Sequence, residues 1–121
     1  MHKFLVVDDS PTMRKMVMSA LRPLQAAFVE ASNGLEAIEQ LTLNPFDLVT
    51  LDLNMPDMHG LEFIKFVRSH AAYQGIPILV LTTKDDLDTR QALLDAGANL
   101  FLTKPFAPLT LLESAKKLLQ K

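Results

Sequence analysis

Cysteine is absent from the 121 residues, which removes disulfides, thiol catalysis and thiolate zinc sites together and leaves the chain able to fold in any redox compartment. Long apolar runs are absent as well. The longest are strand-sized, too short to span a bilayer, so a membrane is not among the expected partners. No sign of charge dominates: twelve Lys and Arg stand against fourteen Asp and Glu, a formal net charge of -2. The basic residues are scattered, without the run that marks a phosphate-backbone binder, so nucleic acid is not an expected ligand. The opening "MHKFLVVDDS" carries only a few apolar residues before two aspartates and lacks a signal-peptide pattern, which makes a cytoplasmic location the default expectation.

What is present suits one folded domain spanning 1–121. Hydrophobic residues make up 49% and charged residues 21%, which argues against disorder and fibres. Short apolar runs, "KFLVV" (3–7), "AAFVEA" (26–31), "FDLVTL" (46–51), "IPILVLT" (76–82) and "NLFLT" (99–103), alternate with segments of helical periodicity opening near Ser10, Asn33, His59, Asp86 and Ala107. Such alternation is the signature of parallel βα units and predicts an α/β domain with five strands. Strands 1, 3 and 4 are apolar nearly throughout, as strands covered on both faces should be, whereas Glu30 in strand 2 and Asn99 before strand 5 mark those two as edges.

Capping chemistry sets the helix boundaries. Ser10-Pro11 is an N-cap followed by proline at the first helical position, and Pro23 limits the far end. The spacing predicts that Met13, Met16, Val17, Ala20, Leu21 and Leu24 face the core, although Met16 and Met18 cannot both face the sheet. Asn33-Gly34 and Asn44-Pro45 bracket the second helix, Gly60 opens the third, and Gly97 caps the fourth, which carries Leu87, Leu93 and Leu94. Leu109, Leu112, Ala115 and Leu119 are expected on one face of the last helix.

In an open parallel sheet the ligand site lies beyond the carboxyl ends of the strands. Strand 1 delivers Asp8 and Asp9 there, strand 3 delivers Asp52, strand 4 delivers Thr82 and Thr83, and strand 5 delivers Lys104 before Pro105. Carboxylates this close repel by about 4 kcal/mol per pair at 4 Å and an effective dielectric of 20. One lysine does not neutralise three. A hard divalent cation does, and Mg²⁺ suits because it takes oxygen ligands, keeps waters and combines one or two carboxylates with a phosphate. The cluster therefore predicts Mg²⁺ and a phosphoryl group together, with Lys104 and the Thr82 hydroxyl on phosphoryl oxygens and Asp52 as the nucleophile that becomes an aspartyl phosphate.

Taken singly, each piece has a plainer reading. Asp9-Ser10 reads as a helix cap, "DLNMPDMHG" as a turn, Lys104 as a solvated lysine and the threonines as the end of a strand. Their coincidence at successive strand ends argues otherwise. His2, His59 and His70 lack ligand spacing and read as surface residues, and the six methionines read as packing.

Asp8-Asp9, Asp52 in "DLNMPDMHG", Thr82 in "VLTT" and Lys104 in "TKPF" together resemble the receiver domain of two-component response regulators, over essentially the whole chain and most closely the stand-alone chemotaxis type. The resemblance implies a doubly wound, flavodoxin-like sheet of order 2-1-3-4-5 flanked by five helices. It implies Asp52 as phosphoacceptor from a histidine kinase, with Asp9 and Asp52 direct ligands of Mg²⁺, Asp8 acting largely through water, and the Asn54 carbonyl completing the set. Thr82 and Phe101 fall at the switch positions, Asn54 and Lys84 at positions that tune phosphoryl lifetime, and the Lys104-Pro105 bond is expected to be cis. Phe101 departs from the tyrosine of many chemotaxis members and has no hydroxyl to offer a partner.

The implied function is a switch that catalyses its own phosphorylation and dephosphorylation and is otherwise no enzyme. Its output protein, a flagellar motor being one candidate, would bind the face made by helix 4, strand 5 and helix 5, with the chain a monomer or a weak phosphorylation-dependent dimer. A phosphorelay shuttle, or a receiver separated from a larger regulator, fits the same residues. A phosphohydrolase with an Asp nucleophile would carry a cap or specificity loops, for which there are no residues to spare. A binding module without the chemistry would lack Asp52, Asp9 or Lys104, and all are present.

Overall fold

The computed structural model describes residues 2–53, 60–83 and 87–120. Within them the chain runs β1 (Lys3–Val7), α1 (Pro11–Leu21), a 3-10 turn (Arg22–Leu24), β2 (Ala27–Ala31), α2 (Gly34–Leu43), β3 (Leu48–Asp52), α3 (Gly60–Ser69), β4 (Ile78–Thr82), α4 (Leu87–Ala96), β5 (Leu100–Thr103) and α5 (Pro108–Leu119). The strands form one parallel sheet in the order β2-β1-β3-β4-β5, a flavodoxin-like α/β fold. The chain leaves β1 toward β2 and returns past it to β3, so a crevice opens between β1 and β3 at their carboxyl ends.

Alternate residues of the central strands enter opposite layers, as a period of two requires. Leu5, Val7, Val49, Leu51, Ile78 and Val80 pack with Ala37 and Leu41 of α2, Phe63, Ile64 and Val67 of α3, and Leu93 of α4. On the other face Phe4, Val6, Leu48, Leu79 and Leu81 pack with Val17 and Leu21 of α1 and Leu111 and Ala115 of α5. Every residue of β3 and β4 is buried, whereas β5 is half-buried throughout and β2 buries only Ala31, as edge strands do.

The caps explain the boundaries. Ser10 Oγ accepts from the Met13 N–H at 3.2 Å, and Asn33 Oδ1 from the Glu36 N–H at 2.8 Å. Gly97 ends α4 at φ 116°, where the Leu93 carbonyl accepts from the N–H groups of both Gly97 and Ala98. Arg68 of α3 secures that end of the sheet, donating to the carbonyls of Gly97 (3.0 Å) and Ile76 (2.9 Å) and to Asn99 Oδ1 (2.8 Å). Asn99 Oδ1 also accepts from the Ile78 N–H, so this residue joins β4 to the start of β5 as well as marking an edge.

Of the three leucines in α4 only Leu93 is buried, with Leu87 81% and Leu94 49% exposed, because residues one and six positions from Leu93 are turned about 100° and about 240° around the helix. Two expected core positions, Leu109 and Met16, are corrected. In α5 the buried pair is Leu111 and Ala115, four apart, and Leu109 is 65% exposed. In α1 Met16 is exposed while Met18 packs inward, and Met13, Ala20 and Leu24 are partly buried around Val17 and Leu21. Strands 2 to 5 begin one or two residues later than the apolar runs, and β3 continues through Asp52. Among the described residues no helix is long and apolar enough to cross a membrane.

Candidate functional site

Asp8 follows β1 directly, its N–H donating to the Ala31 carbonyl at 3.0 Å. Asp8 Oδ1 accepts from the Ser10 N–H at 3.0 Å, so the turn into α1 aims the carboxylate. Arg14 braces the same turn, donating from Nη1 to the Asp8 carbonyl at 2.7 Å and from Nε to Glu30 Oε1 at 2.8 Å. Asp52 is the last residue of β3, two strand positions over from β5's exit, where Lys104 emerges. One carboxylate oxygen each of Asp8, Asp9 and Asp52 lies within 4.8 Å of the others. Lys104 Nζ is 3.2 Å from Asp52 Oδ1 and 3.6 Å from Asp8 Oδ2. Its main-chain N–H donates to the Thr82 carbonyl at 2.6 Å, and the Lys104-Pro105 bond is cis.

Asp8 and Asp52 are buried and Asp9 is exposed, so the cluster opens to solvent on one side. Burial pushes the Asp8 carboxyl above its ordinary value of 3.8, and the nearby charges of Asp52 and Asp9 act in the same direction. The Ser10 N–H and Lys104 oppose the shift without reversing it. Asp8 Oδ2 is buried and has no hydrogen-bond donor among the described residues. A buried carboxylate oxygen with no hydrogen bond, facing two more carboxylates and a single lysine 3.6 Å away, is what a hard cation would satisfy, and the all-oxygen donor set fits Mg²⁺.

Residues 4–116 match the family model of the response regulator receiver domain. The chain belongs to that family. It is 41% identical to chemotaxis protein CheY1 of Helicobacter pylori over 119 residues, covering 97% of this chain and 96% of the relative. A chemotaxis protein CheY homolog of Campylobacter jejuni is 40% identical, with coverage of 97% and 92%. Among solved structures, the chemotaxis response regulator CheY4 of Vibrio cholerae superposes with a TM-score of 0.91 at 39% identity over 98% of both chains. A BeF3-activated DrrB receiver domain superposes with a TM-score of 0.90 at 28% identity over 100% of this chain and 99% of that one.

The receiver fold brings Asp8, Asp9, Asp52 and Lys104 together, and places Thr82, fully buried, at the end of β4 beside them. Phe101 lies on β5 level with Val80, half-buried against the layer formed by α2, α3 and α4. Asn54 and Lys84, with His59 and Asp86, lie outside the described residues. Ser10 does cap α1, so the plainer reading of that dipeptide holds for Ser10 and leaves Asp9 for the cluster.

Two neighbours of the site were missed in the sequence. Nothing in the spacing of Arg14 announces a bond back to residue 8. Gly60 was read only as a helix start, yet a Cβ there would stand 2.9 Å from Leu53 Cα and 3.2 Å from the Asp52 carbonyl oxygen. The glycine lets α3 begin directly against the peptide that follows Asp52.

Proposed function

We propose that this receiver domain is a phosphorylation-dependent signalling switch in which Asp52 accepts a phosphoryl group from a phosphohistidine of a histidine kinase. The observation that carries the reading is the convergence of three carboxylate oxygens within 4.8 Å with Lys104 Nζ 3.2 Å from Asp52. Asp8, Asp9, Asp52 and the main-chain carbonyl of Asn54 would hold Mg²⁺, with Asp8 acting largely through water. When bound, the metal offsets the negative charge shared by carboxylates and phosphoryl oxygens.

An Asp52 oxygen attacks phosphorus as the phosphorus–nitrogen bond to the donor imidazole breaks, and the released imidazole nitrogen takes up a proton from solvent. Lys104 transfers its interaction from the carboxylate to a phosphoryl oxygen, and its fixed position beside Thr82 limits the reorganisation required. Water later hydrolyses the acyl phosphate, with Asn54 and Lys84 setting its lifetime. The Thr82 hydroxyl donates to a phosphoryl oxygen, Phe101 turns inward, and the face formed by α4, β5 and α5 changes. The chemotaxis names of the relatives support an output in chemotaxis.

Intact-protein mass after incubation with acetyl phosphate tests the reading. A single phosphoryl adduct is expected with Mg²⁺, with none in EDTA and none for Asp52→Asn. A folded, Mg²⁺-binding chain that gains no mass would contradict it.

A further inference from the structure

The guanidinium carbon of Arg90 sits 4.9 Å from the centroid of the Phe101 ring, and this contact joins α4 to β5. Phe101 is half-buried, and its strand register puts it two residues before Thr103, the partner of Thr82. Arg90 is exposed, and Leu93, three residues on, is fully buried and fixes that turn of α4. The guanidinium cannot follow the ring deeper into the apolar layer without losing its water, so the attraction exists only while the ring stays half-buried at the edge of that layer.

We infer that Arg90 is a positioning residue that latches Phe101 in the half-buried arrangement seen here and thereby sets how readily the receiver domain responds to a phosphoryl group. The inference rests on the switch reading above. A ligand that prefers the inward arrangement must work against the latch, and by linkage removing the latch tightens that ligand by the factor with which it held the ring. For a cation over an aromatic face at an exposed site this factor is about two- to fivefold.

The test is titration of the metal-loaded protein with beryllofluoride, a phosphoryl mimic, followed by calorimetry or NMR. Arg90→Met keeps the aliphatic stem and removes the cation. It is expected to bind beryllofluoride about two- to fivefold more tightly, with Arg90→Lys between it and the parent. Affinity for Mg²⁺ alone is expected to stay unchanged, which separates a latch from general destabilisation. In a Phe101→Leu background the Arg90 substitution is expected to have no effect on beryllofluoride affinity. Unchanged or weaker binding by Arg90→Met, or the same gain without the Phe101 ring, would overturn the latch while leaving the switch reading intact. A parent that binds Mg²⁺ but no beryllofluoride would overturn both, and no variant is needed to see it.

Discussion

Arg14, the fourth residue of α1, donates to the main-chain carbonyl of Asp8 at 2.7 Å while its Nε is held by Glu30 at 2.8 Å. A residue that touches no ligand thus fixes the peptide carrying a cluster carboxylate. Truncating such a support costs roughly tenfold or more in metal affinity at comparable sites. Arg14→Ala is therefore expected to weaken Mg²⁺ binding about tenfold in a calorimetric titration, and Glu30→Gln, which keeps an acceptor, to weaken it less. Unchanged Mg²⁺ affinity in Arg14→Ala would mean the turn holds itself.

Asp8 gives a pH dependence. Its folded-state pKa lies above the ordinary 3.8, chiefly because the carboxyl is buried. As pH rises through 3.8 the unfolded chain loses this proton before the folded one does, so in EDTA this group's contribution to stability falls until pH passes the raised folded value. Denaturant melts of Asp8→Asn in EDTA should show a shallower decline over that window and greater stability at neutral pH. Protons and Mg²⁺ compete for the same oxygens, so metal affinity should decrease as pH drops through the raised value.

Gly60 permits a close approach that no side chain would. Its N–H donates to the Leu53 carbonyl at 3.0 Å, and an added Cβ would meet backbone atoms, which cannot rotate away. Gly60→Ala is expected to destabilise the protein by about 1–3 kcal/mol, the usual range for forced overpacking. An unchanged melting temperature would show that α3 shifts freely against β3.

Thr50 lies within β3, 1% exposed, and its hydroxyl has no hydrogen-bond partner among the described residues. Valine has nearly the same shape without the oxygen. Thr50→Val should stabilise the fold by about 1–2 kcal/mol in urea melts, since a buried unsatisfied polar group is removed. A loss of stability would reveal a partner for the hydroxyl.

The strand and helix alternation was legible because each element carries its own signal: β-branched runs such as "ILVL" in β4, Ser10 and Asn33 as caps, Gly97 as a stop. The acidic pocket was legible because every contributor ends a strand or follows one within two residues, and a parallel sheet gathers strand ends at one edge. Sequence order does not encode how far a helix is rotated about its axis, which is why Met16 and Leu109 lie exposed against expectation. Nor does it encode long side chains reaching between elements. Arg14 to Asp8, Arg68 to Asn99 and Arg90 to Phe101 depend on tertiary geometry and have no local pattern.

Location of the phosphoryl group tests the account most directly. Borohydride reduces an aspartyl phosphate to homoserine, which survives digestion and can be placed by peptide sequencing in a mass spectrometer. After treatment with acetyl phosphate and Mg²⁺, homoserine is expected at position 52 and at no other aspartate. Homoserine at Asp8 or Asp9 instead, with Asp52 intact, would contradict the assignment of Asp52 as the nucleophile held beside Lys104.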